Sequence, residues 1–92
     1  MSAQIRWHEA AVRDLIALRA YIAQDNPPAA ARIAQAIRER VALLQAHPML
    51  GRAGRLHGTR ELVVSGTPYT VVYLPEADRL TVLRVFHQAR QW

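Results

Sequence analysis

Four residues, Asp25-Asn26-Pro27-Pro28, constrain this chain more than any others, because no helix can run through them. Proline lacks the amide proton of the helical ladder and its ring collides with the preceding turn, so it is tolerated only where a helix begins. Asn26 is placed to cap a helix that starts at Pro27. On both sides of the break, apolar residues recur at spacings of three or four. Upstream, Ala11, Leu15, Leu18 and Ile22 form one stripe, widened by Val12 and Ile16. That helix starts near Glu9, whose charge suits the positive end of a helix dipole. Downstream, Ala30, Ile33, Ile37, Val41 and Leu44 form a second stripe, with Arg32, Gln35 and Glu39 on the wet side. His47-Pro48 closes this helix. Two long helices joined by so short a link run antiparallel, and their stripes need a surface to cover them.

The remaining segments supply that surface. Ile5 and Trp7 alternate with polar neighbours, which predicts a short first strand. Residues 48–60 read as a loop rich in glycine and arginine. Residues 61–65 then read as a strand, Gly66-Thr67-Pro68 as a turn, and residues 69–74 as a second strand dense in β-branched and aromatic side chains. Pro75-Glu76-Ala77-Asp78 predicts a tight hairpin loop before a third strand over 79–87. The expectation is a single α+β domain over residues 1–92, ordered β-α-α-β-β-β, with the helical hairpin on one face of a small, mainly antiparallel sheet.

Composition narrows the function. With 51% apolar and 21% charged residues, the 92-residue chain is globular in character. It has no cysteine, which excludes disulfides and thiolate metal sites. No apolar run approaches membrane-spanning length, and Met1-Ser2-Ala3-Gln4 lacks an apolar signal core, so a cytoplasmic location and no membrane partner are expected. All 12 basic side chains are arginine, for a formal net charge of +5. An alanine-rich, lysine-free chain is also what a GC-rich genome produces. The positive balance nevertheless favours an acidic partner, either nucleic acid or protein, and guanidinium forks hold carboxylate or phosphate with two parallel hydrogen bonds.

The candidate site residues lie in the second half. Strict alternation in the last strand puts Thr81, Leu83, Val85 and His87 on one face and Leu80, Val82, Arg84 and Phe86 on the other, unless a bulge intervenes. The His87 imidazole has the range to move a proton at neutral pH; it could equally be a strand-end histidine bonded to backbone. Arg60, at the junction of the basic loop with a strand, could join Arg52, Arg55 and Arg90 in a cationic rim that holds phosphate or an acidic partner, with Arg84 as a further candidate. The bland alternative is a solvated surface with ordinary ion pairs, such as Arg60 with Glu61. Trp7, Tyr21, Tyr69, Tyr73 and Phe86 read mostly as packing residues.

Other chemistries lack their patterns. The stretch from Gly51 to Arg55 has no Gly-Lys-Ser/Thr ending, so it is not a phosphate-binding loop of the Walker type. His8, His47, His57 and His87 show no metal-ligand spacing, the acids form no evident pair, and neither Ser2 nor Ser65 sits in a nucleophile elbow. No metal or cofactor is expected.

Taken in order, several stretches resemble the RelE/ParE superfamily of bacterial toxins from type II toxin–antitoxin modules. They are Ala10-x3-Asp14-Leu15-x5-Tyr21-Ile22, His47-Pro48-x2-Gly51-Arg52, Gly58-Thr59-Arg60-Glu61-Leu62-Val63-Val64, Pro68-Tyr69-x-Val71-Val72-Tyr73, and Leu83-Arg84-Val85-Phe86-His87-Gln88-Ala89-Arg90. The resemblance implies the same β-α-α-β-β-β fold, a cognate antitoxin as partner, and a toxin–antitoxin hetero-oligomer. It offers two activities. RelE-like members are metal-independent, ribosome-dependent endoribonucleases that cleave mRNA by 2′-hydroxyl attack, and in them Arg60 would stabilise phosphate charge and His87 would transfer a proton. ParE-like members inhibit DNA gyrase by protein contact. The absence of lysine, the acid-free Pro48-Met49-Leu50-Gly51 after the second helix and the missing terminal tyrosine lean the resemblance toward the ParE branch.

Overall fold

The computed structural model describes residues 4–89. Its elements run β1 (Gln4–Trp7), α1 (Glu9–Ala23), α2 (Pro27–Ala42), β2 (Arg52–Ala53), β3 (Arg60–Val63), β4 (Tyr69–Pro75) and β5 (Arg79–His87). The helical hairpin forms where the proline pair dictates. Asn26 Oδ1 accepts the Ala29 amide at 3.1 Å and Pro27 opens α2. At the start of α1 the cap is His8, whose Nδ1 accepts the Ala10 amide at 3.0 Å. α2 ends at Ala42, earlier than His47-Pro48, and a single 3-10 turn over Leu43–Gln45 tightens the exit.

The sheet has five strands in the order β1-β5-β4-β3-β2, with β1 parallel to β5 and every other pair antiparallel. The additional strand, β2, pairs Arg52 with Glu61 and Ala53 with Arg60. It turns part of the glycine–arginine loop into a sheet edge.

The hairpin covers one face of this sheet. Ala11 and Leu18 of α1, Ile37 and Val41 of α2, and Leu44 pack against Leu62, Val64, Val71, Tyr73, Leu80, Val82 and Val85. Each large apolar side chain buried here contributes about 1.5–3 kcal/mol. The α1 stripe is narrower than its periodicity suggests. Leu15 and Ile22 pack against the core, but Val12 and Ile16 are 40% and 64% exposed. Tyr21, expected as packing, is 71% exposed.

Strict alternation fails in β5, and the failure positions the site. Val72 pairs with Arg84 while Tyr73 pairs with Val82, so two residues of β4 oppose three of β5. The extra residue is a β-bulge at Leu83-Arg84, which returns Val82 and Val85 to the same, core-facing side. His87 follows Val85 onto that side, opposite Tyr69.

Candidate functional site

The sequence-derived candidates fall into two groups at different places on the sheet. The first surrounds the bulge. Asp14, on α1, accepts from Arg84 Nε at 2.7 Å and Nη2 at 3.0 Å, and from the Val85 amide at 2.9 Å. One carboxylate thus ties helix to strand and satisfies the backbone that the bulge exposes. The Asp14 hydrogen bond and charge hold the Arg84 guanidinium still more firmly protonated than usual. Beyond this pair an open groove of about 680 Å³ runs between α1 and the end of β5, lined by Asp14, Leu18, Tyr21, Tyr69, Arg84 and His87 among others. The volume is that of a ligand pocket, but its open side suits a segment of polypeptide better than an enclosed small molecule.

His87 closes the groove. Its ring meets Tyr69 edge-on at a centroid distance of 5.5 Å, and Nδ1 accepts the Ala89 amide at 3.0 Å. With Nδ1 accepting, a neutral ring carries its proton on Nε2. Arg84 and His87 thus line one groove, which Arg84 reaches through its ion pair with Asp14 on α1.

The second group is the loop after α2. Tyr73 is fully buried, and its hydroxyl donates to the Pro48 carbonyl and accepts the Gly51 amide, both at 2.8 Å. Burial pushes the Tyr73 pKa up; the Gly51 hydrogen bond and the nearby Arg60 charge partly offset this. Arg60 Nη1 donates to the carbonyls of Gly51 and Met49. Glu61, also buried, accepts the Arg55 amide at 3.2 Å and lies 3.4 Å from Arg52 Nη2, so its cationic neighbour is Arg52, across β2–β3, where the sequence suggested Arg60. Thr59 and Gly54 pair backbone to backbone, and Thr59 Oγ1 donates to the Leu56 carbonyl at 2.6 Å. Gly51 and Gly54 are required by close approach. A Cβ on Gly51 would stand 2.8 Å from both the Glu61 carbonyl oxygen and the Tyr73 ring, and one on Gly54 would overlap the Thr59 side chain.

Arg60 and His87 are not neighbours. Arg60 pairs with Tyr73 and His87 with Tyr69. The two are thus separated by four residues along β4, about 13 Å, and by two strand spacings, about 10 Å. Arg52, Arg55 and Arg60 share the loop end, Arg84 belongs to the groove, and Arg90 lies outside the described residues. Among the described residues no cluster of three or more His, Asp or Glu side chains is positioned to hold a metal ion, and no helix is long and apolar enough to cross a membrane.

Two residues that organise these regions had no sequence-derived role. Tyr73 carried one signal: a tyrosine within an apolar strand must find a partner for its hydroxyl when buried. Asp14 carried only its place in the family-like Ala10-x3-Asp14-Leu15 stretch, since its partners are some 70 residues away.

With this geometry in place, known proteins give a consistent picture. A family profile described as the ParE toxin of the type II toxin–antitoxin system, parDE, matches residues 5–92. The chain is 42% identical over 89 residues to a Sinorhizobium fredii protein named toxin Y4kP, covering 97% of this chain and 92% of that one. It is 36% identical over 88 residues to toxin RelE2 of Caulobacter vibrioides, covering 96% and 98%. Its fold matches a chain of the chromosomal ParDE toxin–antitoxin system of P. aeruginosa with a TM-score of 0.85 and 25% identity, over 94% of this chain and 96% of that one. A chain of the RelBE2 toxin–antitoxin complex of Mycobacterium tuberculosis matches with a TM-score of 0.71 and 28% identity, over 95% and 99%.

Proposed function

This chain belongs to the ParE toxin family of type II toxin–antitoxin systems, and on that premise we propose that it inhibits DNA gyrase by protein contact and is neutralised by a cognate antitoxin. The observation that carries this reading is the engagement of the two side chains a nuclease would use. The Arg60 guanidinium is hydrogen-bonded to backbone carbonyls of its own loop, and His87 is held by Ala89 and Tyr69 in a different part of the sheet. Phosphoryl chemistry needs its proton-transfer group and its charge-stabilising group at one phosphate. Inhibition by contact has no such requirement. The antitoxin fits the groove between α1 and β5, where Leu18, Tyr21 and Tyr69 offer apolar contact beside Arg84, an arrangement suited to an acidic amphipathic segment that folds as it binds.

The likeness to RelE2 and to the RelBE2 complex favours a second reading, ribosome-dependent mRNA cleavage with His87 as proton donor through Nε2. One substitution separates the two. His87→Ala, induced without antitoxin, arrests growth as wild type does under the gyrase reading. Loss of arrest together with loss of mRNA cleavage, in a variant that still folds and binds antitoxin, would establish the nuclease.

A further inference from the structure

We propose that the loop over residues 49–57 is the surface by which this toxin engages an acidic face of its protein target, and that Tyr73, Thr59 and Arg60 are positioning residues that hold it ready. The inference rests on the contact-inhibition reading and adds the place of contact. Three large apolar side chains stand out in this short stretch: Met49 is 62%, Leu50 44% and Leu56 57% exposed. Arg52 and Arg55 stand exposed among them, and Arg55 makes no ion pair among the described residues. Exposed methionine, leucine and arginine together form the composition of an interface, and an exposed loop of this kind would ordinarily be mobile.

This loop is instead braced from beneath at every turn. Tyr73 holds Pro48 and Gly51. Arg60 holds Met49 and Gly51. Thr59 holds Gly54 and Leu56, and Glu61 holds Arg52 and Arg55. Two glycines are close-packed against these same braces. Buried polar groups are thus arranged to fix a display of exposed apolar and cationic side chains, which lowers the ordering cost of binding.

The chemistry of the partner follows from the loop. No acid lies between Pro48 and Arg60, so the display is uniformly positive and its complement is acidic. The same stretch has no Phe, Tyr or Trp on which a nucleobase could stack, its one aromatic ring being the His57 imidazole, and three exposed apolar side chains add nothing to phosphate contacts. A protein surface is favoured over nucleic acid.

The test uses the Arg52→Glu/Arg55→Glu double variant and, separately, Tyr73→Phe, each purified with antitoxin and then freed of it. Expected are antitoxin affinity within about twofold of wild type and, for the double variant, at least a tenfold higher concentration for half-maximal inhibition of gyrase. Tyr73→Phe, its circular dichroism native at assay temperature, shifts the same concentration in the same direction with both arginines in place, a readout that loss of fold would not produce selectively. Unchanged inhibition by the double variant overturns the proposal, as does an equal loss of antitoxin binding. A defect reproduced by binding to duplex DNA without gyrase also overturns it, in favour of nucleic acid. If wild type leaves gyrase unaffected, it is the gyrase reading that fails. Growth arrest then decides the loop: retained arrest by the double variant overturns the proposal, and lost arrest with antitoxin binding intact supports the loop against a different acidic target.

Discussion

Replacing Tyr73 with phenylalanine removes one oxygen from the interior and leaves the ring and the packing in place. That oxygen makes two hydrogen bonds, from the Gly51 amide and to the Pro48 carbonyl, both at 2.8 Å and separated from Tyr73 by more than twenty residues of chain. Gly51 is itself buried, so its amide is left without a partner, at a cost of about 1–3 kcal/mol, and the lost bond to Pro48 adds about 0.5–1.5 kcal/mol. The total, about 2–4 kcal/mol, compares with a stability of about 5–14 kcal/mol for a domain of this size. The variant therefore folds at 25 °C but melts at least about 8 °C lower, since each kcal/mol shifts the midpoint by about 4–8 °C in so small a domain. Thermal unfolding followed by circular dichroism measures this directly. A midpoint within about 2 °C of wild type would mean that Tyr73 does not brace the loop, and the account of that loop would have to be abandoned.

Other consequences can be measured in the same way. Burial raises the pKa of Tyr73, so the folded state retains a proton that the unfolded chain releases from about pH 10 upward. The stabilisation this gives is complete below that pH and lost as pH climbs through the folded value, with a slope of at most about 1.4 kcal/mol per unit. In urea unfolding at pH 9 and pH 11, the advantage of wild type over Tyr73→Phe should shrink at the higher pH; an advantage that grew would reverse the assignment. Asp14→Ala takes the partner from the buried Val85 amide and frees Arg84, and should cost about 1–3 kcal/mol in urea midpoint analysis; no change would mean that the bulge needs no tie to α1. Gly51→Ala forces a methyl against the Glu61 carbonyl and the Tyr73 ring and should cost about 1–3 kcal/mol; a neutral Gly51→Ala would show that close approach is not what selects glycine at position 51.

The parts of this fold that periodicity governs could be read from sequence. Asn26 caps α2 and Pro27 opens it, as their chemistry requires, and β5 occupies the predicted residues 79–87. What could not be read depends on groups distant in sequence or on elements too short to have a period. β2 is two residues long and is defined only by its pairing with β3. His8 caps α1 although histidine is a less usual choice than serine, threonine, aspartate or asparagine. The bulge did leave a trace: apolar Val82 and Leu83 are adjacent and Val85 follows at three from Val82, a phase shift that strict alternation cannot accommodate. The candidate arginines were visible as a group, but their division between the loop and the groove follows from strand register. So does the separation of Arg60 from His87.

The central claim is that this toxin acts on gyrase by contact. Its most direct test is the supercoiling of relaxed plasmid by purified gyrase and ATP, titrated with this protein freed of its antitoxin. Dose-dependent loss of supercoiling or accumulation of cleaved DNA, reversed by adding antitoxin, is the predicted result. Full gyrase activity at every concentration of a folded protein that still arrests growth would contradict it.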